Sequence, residues 1–293
     1  MLFERENYQL REAFQILVRE LISFGSKSAH LDARLLIGKA FGISSETFLL
    51  KPETELNPDK ISILNSIVSR RLAHEPMAYI LGKKEFWSLR FLVNKSVLIP
   101  RPETETIIEC VIGRIPNRKS NLHILDLGTG SGCVLLALLN EFHHAFGVGI
   151  DISSEAIAVA QENASRNGLE NRSAFRQGDW ESNADNFIGN YDIVVSNPPY
   201  IPTKDIGKLD KGVTKYEPVQ SIDGGKDGLR AYRYILEKLP ILLNKDGFAV
   251  FEVGFGQVAP LKKILEQSEF KILEIREDLA SISRVVLVGW KIS

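Results

Sequence analysis

Leu122-His123-Ile124-Leu125-Asp126-Leu127-Gly128-Thr129-Gly130-Ser131-Gly132, continuing into Cys133-Val134-Leu135-Leu136-Ala137-Leu138-Leu139, decides the fold of this chain. It reads as a strand, a glycine-rich turn and an apolar helix, in that order. Gly128, Gly130 and Gly132 let the backbone take positive φ and let a ligand approach with no Cβ in the way. A second strand, Ala145 to Ile150, ends in Asp151, which lies 151 − 132 = 19 residues past the last glycine. A carboxylate at that place can accept hydrogen bonds from two ribose hydroxyls.

Two familiar phosphate-binding patterns fail on this stretch. A dinucleotide fingerprint needs a third glycine at position 133 or 135, where Cys133 and Leu135 stand. A Walker loop needs a Gly-Lys-Ser/Thr ending, which is missing. Asp126 would repel a pyrophosphate and suits the cationic amino-acid end of a nucleoside cofactor. S-adenosylmethionine has that chemistry, so Gly128, Thr129, Gly130, Ser131, Gly132 and Asp151 are expected to bind it. Gly178-Asp179-Trp180 follows a third strand near Ser173 to Gln177. There Trp180 would stack on an adenine ring and Asp179 would accept from its exocyclic amine. The plainer alternative makes Trp180 a core residue.

Downstream, the apolar run Tyr191-Asp192-Ile193-Val194-Val195-Ser196 reads as a buried parallel strand, and Asn197-Pro198-Pro199-Tyr200 stands at its carboxyl end. Open α/β sheets bind ligands beyond those ends. The two prolines fix φ near −65° and remove two donors. What faces the crevice is the Asn197 side-chain oxygen, the carbonyls of Pro198 and Pro199, and the Tyr200 ring. That set suits a planar NH2 group, with acceptors for its two hydrogens and a face to stack on. Asn-Pro-Pro is also ordinary turn chemistry; the preceding cofactor pattern favours the functional reading. Asn197, Pro198 and Tyr200 are the expected catalytic residues, Pro199 joins them in binding the substrate, and Asn197 also borders the cofactor.

Through these residues the chain resembles the protein glutamine-N5 methyltransferases, in the release-factor branch known as the PrmC/HemK family. The resemblance extends to Glu75-Pro76-Met77-Ala78-Tyr79-Ile80-Leu81-Gly82, Glu85-Phe86-Trp87 and Ile99-Pro100-Arg101-Pro102-Glu103-Thr104-Glu105. It continues in Tyr216-Glu217-Pro218 and Asp223-Gly224-Gly225-Lys226-Asp227-Gly228-Leu229. It implies methylation of the side-chain amide of the Gly-Gly-Gln glutamine in class 1 peptide-chain release factors, modulating translation termination. One departure is Ala280-Ser281-Ile282-Ser283-Arg284, where the family usually carries glycine after the alanine. The ribosomal-protein glutamine methyltransferases share the tetrapeptide and form the alternative branch. An adenine-N6 nucleic-acid methyltransferase would present the same NH2 group, but no basic target-recognition domain is evident. A cofactor-sensing module would have no need of an NH2 clamp.

Composition sets wider bounds. The chain has 293 residues, 36 basic against 37 acidic, and a net charge of −1, so direct grip on a nucleic-acid backbone is not expected. Two cysteines and five scattered histidines show neither a disulfide framework nor metal spacing. No signal peptide or membrane span is apparent. A cytoplasmic monomer is expected. Residues 1–80 read as a small helical bundle for substrate recognition, with apolar residues at Leu10, Phe14, Leu17 and Leu21 and a start signal at Asn57-Pro58. Residues 81–105 read as a linking β-hairpin, Glu85 to Val93 against Ser96 to Ile99, turning at Asn94-Lys95. Residues 106–293 should form a doubly wound, mostly parallel seven-stranded sheet of the class I S-adenosylmethionine methyltransferase type.

Overall fold

The computed structural model describes residues 2–5, 7–179 and 189–291. It divides into two compact units, Met1–Gly82 with Lys211–Tyr216, and Lys83–Asp210 with Glu217–Ser293.

The first unit is helical. It opens with α1 (Leu10–Ser23), α2 (Ala29–Phe41), α3 (Ser45–Leu50), α4 (Ile61–Leu72) and α5 (Met77–Leu81). Leu10, Ala13, Leu17 and Leu21 form the buried stripe of α1, while Phe14 stays half-buried with its ring edge-on to Phe48. Helices α2 and α5 stop at Gly42 and Gly82, both left-handed, where a side chain would be strained. Asn57 caps a short turn begun by Pro58, its side chain accepting from the Asp59 amide at 2.9 Å, and that turn runs into α4. Two buried acids tie the unit together. Asp32 accepts from the Ser26 and Ser28 hydroxyls and from Arg71, and Glu75 takes two hydrogen bonds from Arg70, at 2.9 and 2.7 Å. A buried carboxylate is tolerable only when its oxygens are satisfied in this way.

The second unit begins with a hairpin that differs from the expected one. Strands β1 (Lys83–Phe86) and β2 (Leu89–Leu92) pair with Phe86 opposite Leu89, so the turn is Trp87-Ser88. Both turn residues have positive φ, 48° and 60°, as a two-residue turn matching strand twist requires. Neither is the glycine or asparagine that signals such a turn. Tertiary bonds hold it instead: the Trp87 amide donates to Glu105 and its indole donates to Glu141, each at 2.8 Å. Asn94 does turn the chain, its side chain accepting from the Ser96 amide at 2.8 Å. No returning strand follows, and Ser96 to Ile99 runs on without ladder pairing.

Beyond the hairpin come α6 (Glu105–Arg114), β3 (His123–Leu127), α7 (Cys133–Glu141), β4 (Phe146–Asp151), α8 (Ser154–Arg166), β5 (Ser173–Gln177) and β6 (Tyr191–Ser196). Then follow α9 (Lys211–Tyr216), α10 (Arg230–Leu242), β7 (Leu243–Glu252), α11 (Val258–Glu266), β8 (Phe270–Glu277) and β9 (Ser283–Trp290). The short α9 belongs with the helical unit, where the Tyr216 hydroxyl donates to the Ala73 carbonyl at 2.9 Å. Among the described residues, seven strands form one sheet in the order β5-β4-β3-β6-β7-β9-β8. The strands from β5 to β7 run parallel, while β9 pairs antiparallel with both β7 and β8. Apolar side chains of α6, α7 and α8 cover one face, and those of α10 and α11 cover the other.

This order places the functional crevice. The chain starts at β3, winds outward through β4 and β5, then returns to β6 on the other side of β3. The loops after β3 and β6 therefore diverge at their carboxyl ends and leave a gap between them. Those two loops carry Gly128–Gly132 and Asn197–Tyr200.

Candidate active site

The glycine turn wraps back over β4. The amides of Gly128 and Thr129 both donate to the Ile150 carbonyl, at 2.8 and 2.9 Å. Gly128, Gly130 and Gly132 take φ of 74°, 53° and 79°. A Cβ on Gly130 would have no neighbour closer than 4.0 Å and would stand in the crevice, so the absence of a side chain leaves room there. Gly132 caps α7 in the left-handed conformation.

Two carboxylates stand beside this turn. Asp126, 2% exposed, accepts from the Thr129 hydroxyl at 2.7 Å, and burial pushes its carboxyl up to about 7. It lines one lobe of the crevice with Gly128, Thr129, Gly130, Ser131 and Asn197. Asp151 lines the adjoining lobe with Gly128, Gly130, Ile152, Asn197 and Pro199. Its two oxygens accept from the Gly130 and Ser153 amides at 2.9 and 3.0 Å. Burial raises its carboxyl, and those backbone bonds oppose the rise. A carboxylate has about four acceptor directions, so Asp151 keeps capacity for a ligand. This pair of acceptors suits a molecule with a cationic end at Asp126 and hydroxyls at Asp151, and it would repel a polyphosphate. Asp179 lies past β5 and borders a neighbouring recess with Gly178, Ile152 and Pro199. Trp180 lies outside the described residues.

The tetrapeptide is held from several directions. Behind it, the Ser196 hydroxyl donates to the Leu127 carbonyl at 2.6 Å, tying β6 to β3. The Asn197 side-chain nitrogen donates to the Thr104 hydroxyl oxygen at 3.1 Å, and Thr104 donates to Glu252 Oε2 at 2.6 Å. Tyr200 donates its hydroxyl to the other Glu252 oxygen at 3.2 Å. Burial and the Glu252 charge push the Tyr200 phenol up, so it stays protonated and donating. Gln257 donates to the carbonyls of Tyr200 (2.8 Å) and Gly228 (3.1 Å) and accepts from the Gly254 amide at 2.8 Å.

The segment 223–229 belongs to the same assembly. The Ile201 amide donates to Ile222, and the Gly224 amide donates back to Ile201. A Cβ on Gly224 would lie 2.8 Å from the Pro199 carbonyl oxygen and the Tyr200 Cα. One on Gly228, where φ is 77°, would lie 2.3 Å from the Tyr200 carbonyl oxygen. Both glycines are there because the tetrapeptide backbone leaves no space for anything larger. Glu217, 5% exposed, accepts from the Ile99 amide and the Arg101 guanidinium, and so pins the segment 99–101 that borders the Asp126 lobe.

The structure thus brings Gly128–Gly132, Asp126, Asp151 and Asn197 onto one crevice. It adds three residues that sequence reasoning missed as site residues: Thr104, Glu252 and Gln257. Glu252 had a signal, an acid ending the apolar run Phe248-Ala249-Val250-Phe251. Thr104 lay within the family-like stretch Ile99 to Glu105 but carried no sign of its own role, and Gln257 carried none either. Ser281, the departure from the family pattern, has φ of 58°, a left-handed conformation in which glycine would be unstrained.

A doubly wound sheet with a glycine turn and an acceptor-lined tetrapeptide at its switch point defines the methyltransferase class. Residues 118–272 match the family model described as a methyltransferase domain, and residues 12–82 match the PrmC N-terminal domain. The release factor glutamine methyltransferase of Caulobacter vibrioides is 40% identical over 263 residues, covering 90% of this chain and 90% of that one. Its counterpart in Rhodospirillum rubrum is also 40% identical, over 90% of this chain and 79% of that one. The hMettl16 catalytic domain, solved in complex with the MAT2A 3'UTR hairpin 6, superposes with a TM-score of 0.58 at 16% identity. That match covers 78% of this chain and 82% of that one, and shows the fold alone. The chain belongs to the release factor glutamine methyltransferase family and is a methyltransferase.

Proposed function

We propose that this enzyme transfers a methyl group from S-adenosylmethionine to the side-chain amide nitrogen of the Gly-Gly-Gln glutamine in class 1 peptide-chain release factors. The observation that carries the reading is the acceptor character of the tetrapeptide beside the glycine turn. Asn197 spends its nitrogen on Thr104, and among the described residues its oxygen receives no bond. The prolines offer carbonyls only. Membership of the release factor glutamine methyltransferase family supports the substrate class.

Gly128 to Gly132, Asp126 and Asp151 would hold the cofactor, with Asp126 at its ammonium and Asp151 at its ribose. Asp179 would meet the adenine, and Trp180 keeps its proposed stacking role. When bound, S-adenosylmethionine supplies an electrophilic methyl on a sulfonium and departs as a neutral thioether. The chain's own task is to make an amide nitrogen attack. That nitrogen becomes more positive as its lone pair forms the new bond to carbon. Acceptors on its two hydrogens therefore bind the transition state more tightly than the ground state. The Asn197 oxygen and the Pro198 carbonyl fill that role. Pro199 keeps the loop stiff, and Tyr200, tethered through its hydroxyl, packs on the amide plane. The methylated nitrogen then gives one N–H proton to bulk water, leaving a neutral N-methyl amide.

The proposed setting is cytoplasmic and monomeric, with the helical unit recognising the release factor. Among the described residues, no helix is long and apolar enough to cross a membrane. The test is incubation with methyl-labelled S-adenosylmethionine and a full-length class 1 release factor, beside its Gly-Gly-Gln to Gly-Gly-Ala variant. Label on the first alone is expected. Label on both, or on neither, refutes the assignment.

A further inference from the structure

Asn197 can serve as an acceptor only if its amide faces one way round. An asparagine amide has nearly the same shape in both orientations, so its neighbours must choose between them. The choice is made two bonds away. Thr104 owns a single hydroxyl hydrogen, and the 2.6 Å bond to Glu252 uses it. Toward Asn197, at 3.1 Å, the Thr104 oxygen can then only accept. That forces the Asn197 NH2 toward Thr104 and its oxygen toward the crevice.

We infer that Glu252 is a positioning residue whose carboxylate sets the direction of the hydrogen bonds Asn197→Thr104→Glu252, so that Asn197 shows its oxygen to the substrate amide. The inference rests on the proposed role of Asn197. Glu252, 1% exposed, ends an apolar strand beneath the tetrapeptide with one carboxylate oxygen committed to Thr104. A carboxylate can only accept, so it admits one polarity of the chain. Glutamine at 252 would offer both a donor and an acceptor and would admit either. The second Glu252 oxygen takes the Tyr200 hydroxyl, so one carboxylate orients both functional side chains of the tetrapeptide.

Glu252 is faced by Thr104 and Glu103 from the turn before α6, by Tyr200, by Arg284 of β9 and by Tyr232 of α10, which donates to its backbone carbonyl. Burial raises its carboxyl to about 7, while the Thr104 and Tyr200 bonds and the Arg284 charge oppose the rise. Protonation would let the Thr104 hydroxyl turn, and the polarity would be lost.

The experiment compares Thr104→Val, Thr104→Ser, Glu252→Gln and Asn197→Ala at saturating labelled cofactor, with release factor as substrate and cofactor affinity measured by calorimetry. Valine keeps the shape of threonine and removes the hydroxyl. Thr104→Val and Glu252→Gln should each lower kcat on the order of 10-fold or more, the effect of one misdirected polar group. KM and cofactor affinity should move less than about threefold, and Thr104→Ser should restore most of the loss. The wild-type kcat should fall more steeply below about pH 7 than that of Thr104→Val, in which Asp126 still titrates but the Glu252 relay is gone. Normal turnover in Thr104→Val with a dead Asn197→Ala overturns the relay and leaves the Asn197 role standing. Equal loss in the serine and valine variants, or acid limbs of identical steepness in the wild type and Thr104→Val, overturns it too. Turnover retained in Asn197→Ala overturns the underlying reading. Should Glu252→Gln fail to fold, the Thr104 pair decides alone.

Discussion

Replacing Asp126 with asparagine should make the unliganded enzyme more stable and a worse binder of its cofactor. Asp126 is 2% exposed, and its carboxyl is raised from an ordinary 3.8 to about 7, chiefly by burial. The native state therefore binds a proton more tightly than the unfolded chain does. Stability from this group is fully present below about pH 4 and is lost as pH rises through about 7. The loss corresponds to about 4 kcal/mol, with roughly 1.4 kcal/mol for each tenfold change in proton affinity. Asparagine keeps the acceptor for the Thr129 hydroxyl and removes the charge. At pH 8 it should raise the melting temperature of the sheet-bearing unit by on the order of 10 °C, at about 2–4 °C for each kcal/mol. At pH 4 the two proteins should melt within about 1 °C of each other. Scanning calorimetry between pH 4 and 8 reads the difference directly. Calorimetric titration with S-adenosylmethionine should meanwhile show affinity reduced on the order of 10-fold or more, as expected for a lost charge-assisted contact. A melting difference independent of pH would refute the account of burial. Unchanged affinity would remove the proposed ammonium contact.

Three further perturbations probe other parts of the crevice. Asn197→Ala should lower methyl transfer by on the order of 10²-fold or more while leaving most cofactor affinity, as for one preorganised transition-state group; steady-state kinetics beside calorimetry check both. Asp151→Ala should weaken cofactor binding by on the order of 10-fold, the value of about one charge-assisted hydrogen bond, and equal affinities would end the ribose assignment. Gly228→Ala would place a Cβ 2.3 Å from the Tyr200 carbonyl oxygen at a φ of 77°. Such crowding typically costs about 1–3 kcal/mol, and turnover should fall more than cofactor affinity; normal turnover would show that the tetrapeptide backbone need not be held there.

Much of the sheet-bearing unit is legible in sequence because its signals are local. A strand, a turn with three glycines, an apolar helix and a terminal acid follow one another within thirty residues, from Leu122 to Asp151. Ser153 is a local start signal of the same kind, its hydroxyl accepting from the Ala156 amide at 3.1 Å to cap α8. The hairpin was less legible. Its turn at Trp87-Ser88 uses positive φ without glycine or asparagine, and bonds to Glu105 and Glu141 compensate for that strain. Those partners lie 18 and 54 residues away, so no local pattern could show them.

Glycine, proline and carboxylate chemistry is intrinsic to the residue, so Gly128 to Gly132, Asp151 and Asn197 to Tyr200 stand out as candidate site residues from their order in the chain. Which way those groups face is a matter of long-range packing. Thr104 reaches Asn197 across 93 positions and Glu252 across 148, and Gln257 reaches the Tyr200 carbonyl across 57. Direction in a hydrogen-bond chain depends on who stands at its far end. That neighbour is chosen by the packing of β6, β7 and the turn before α6.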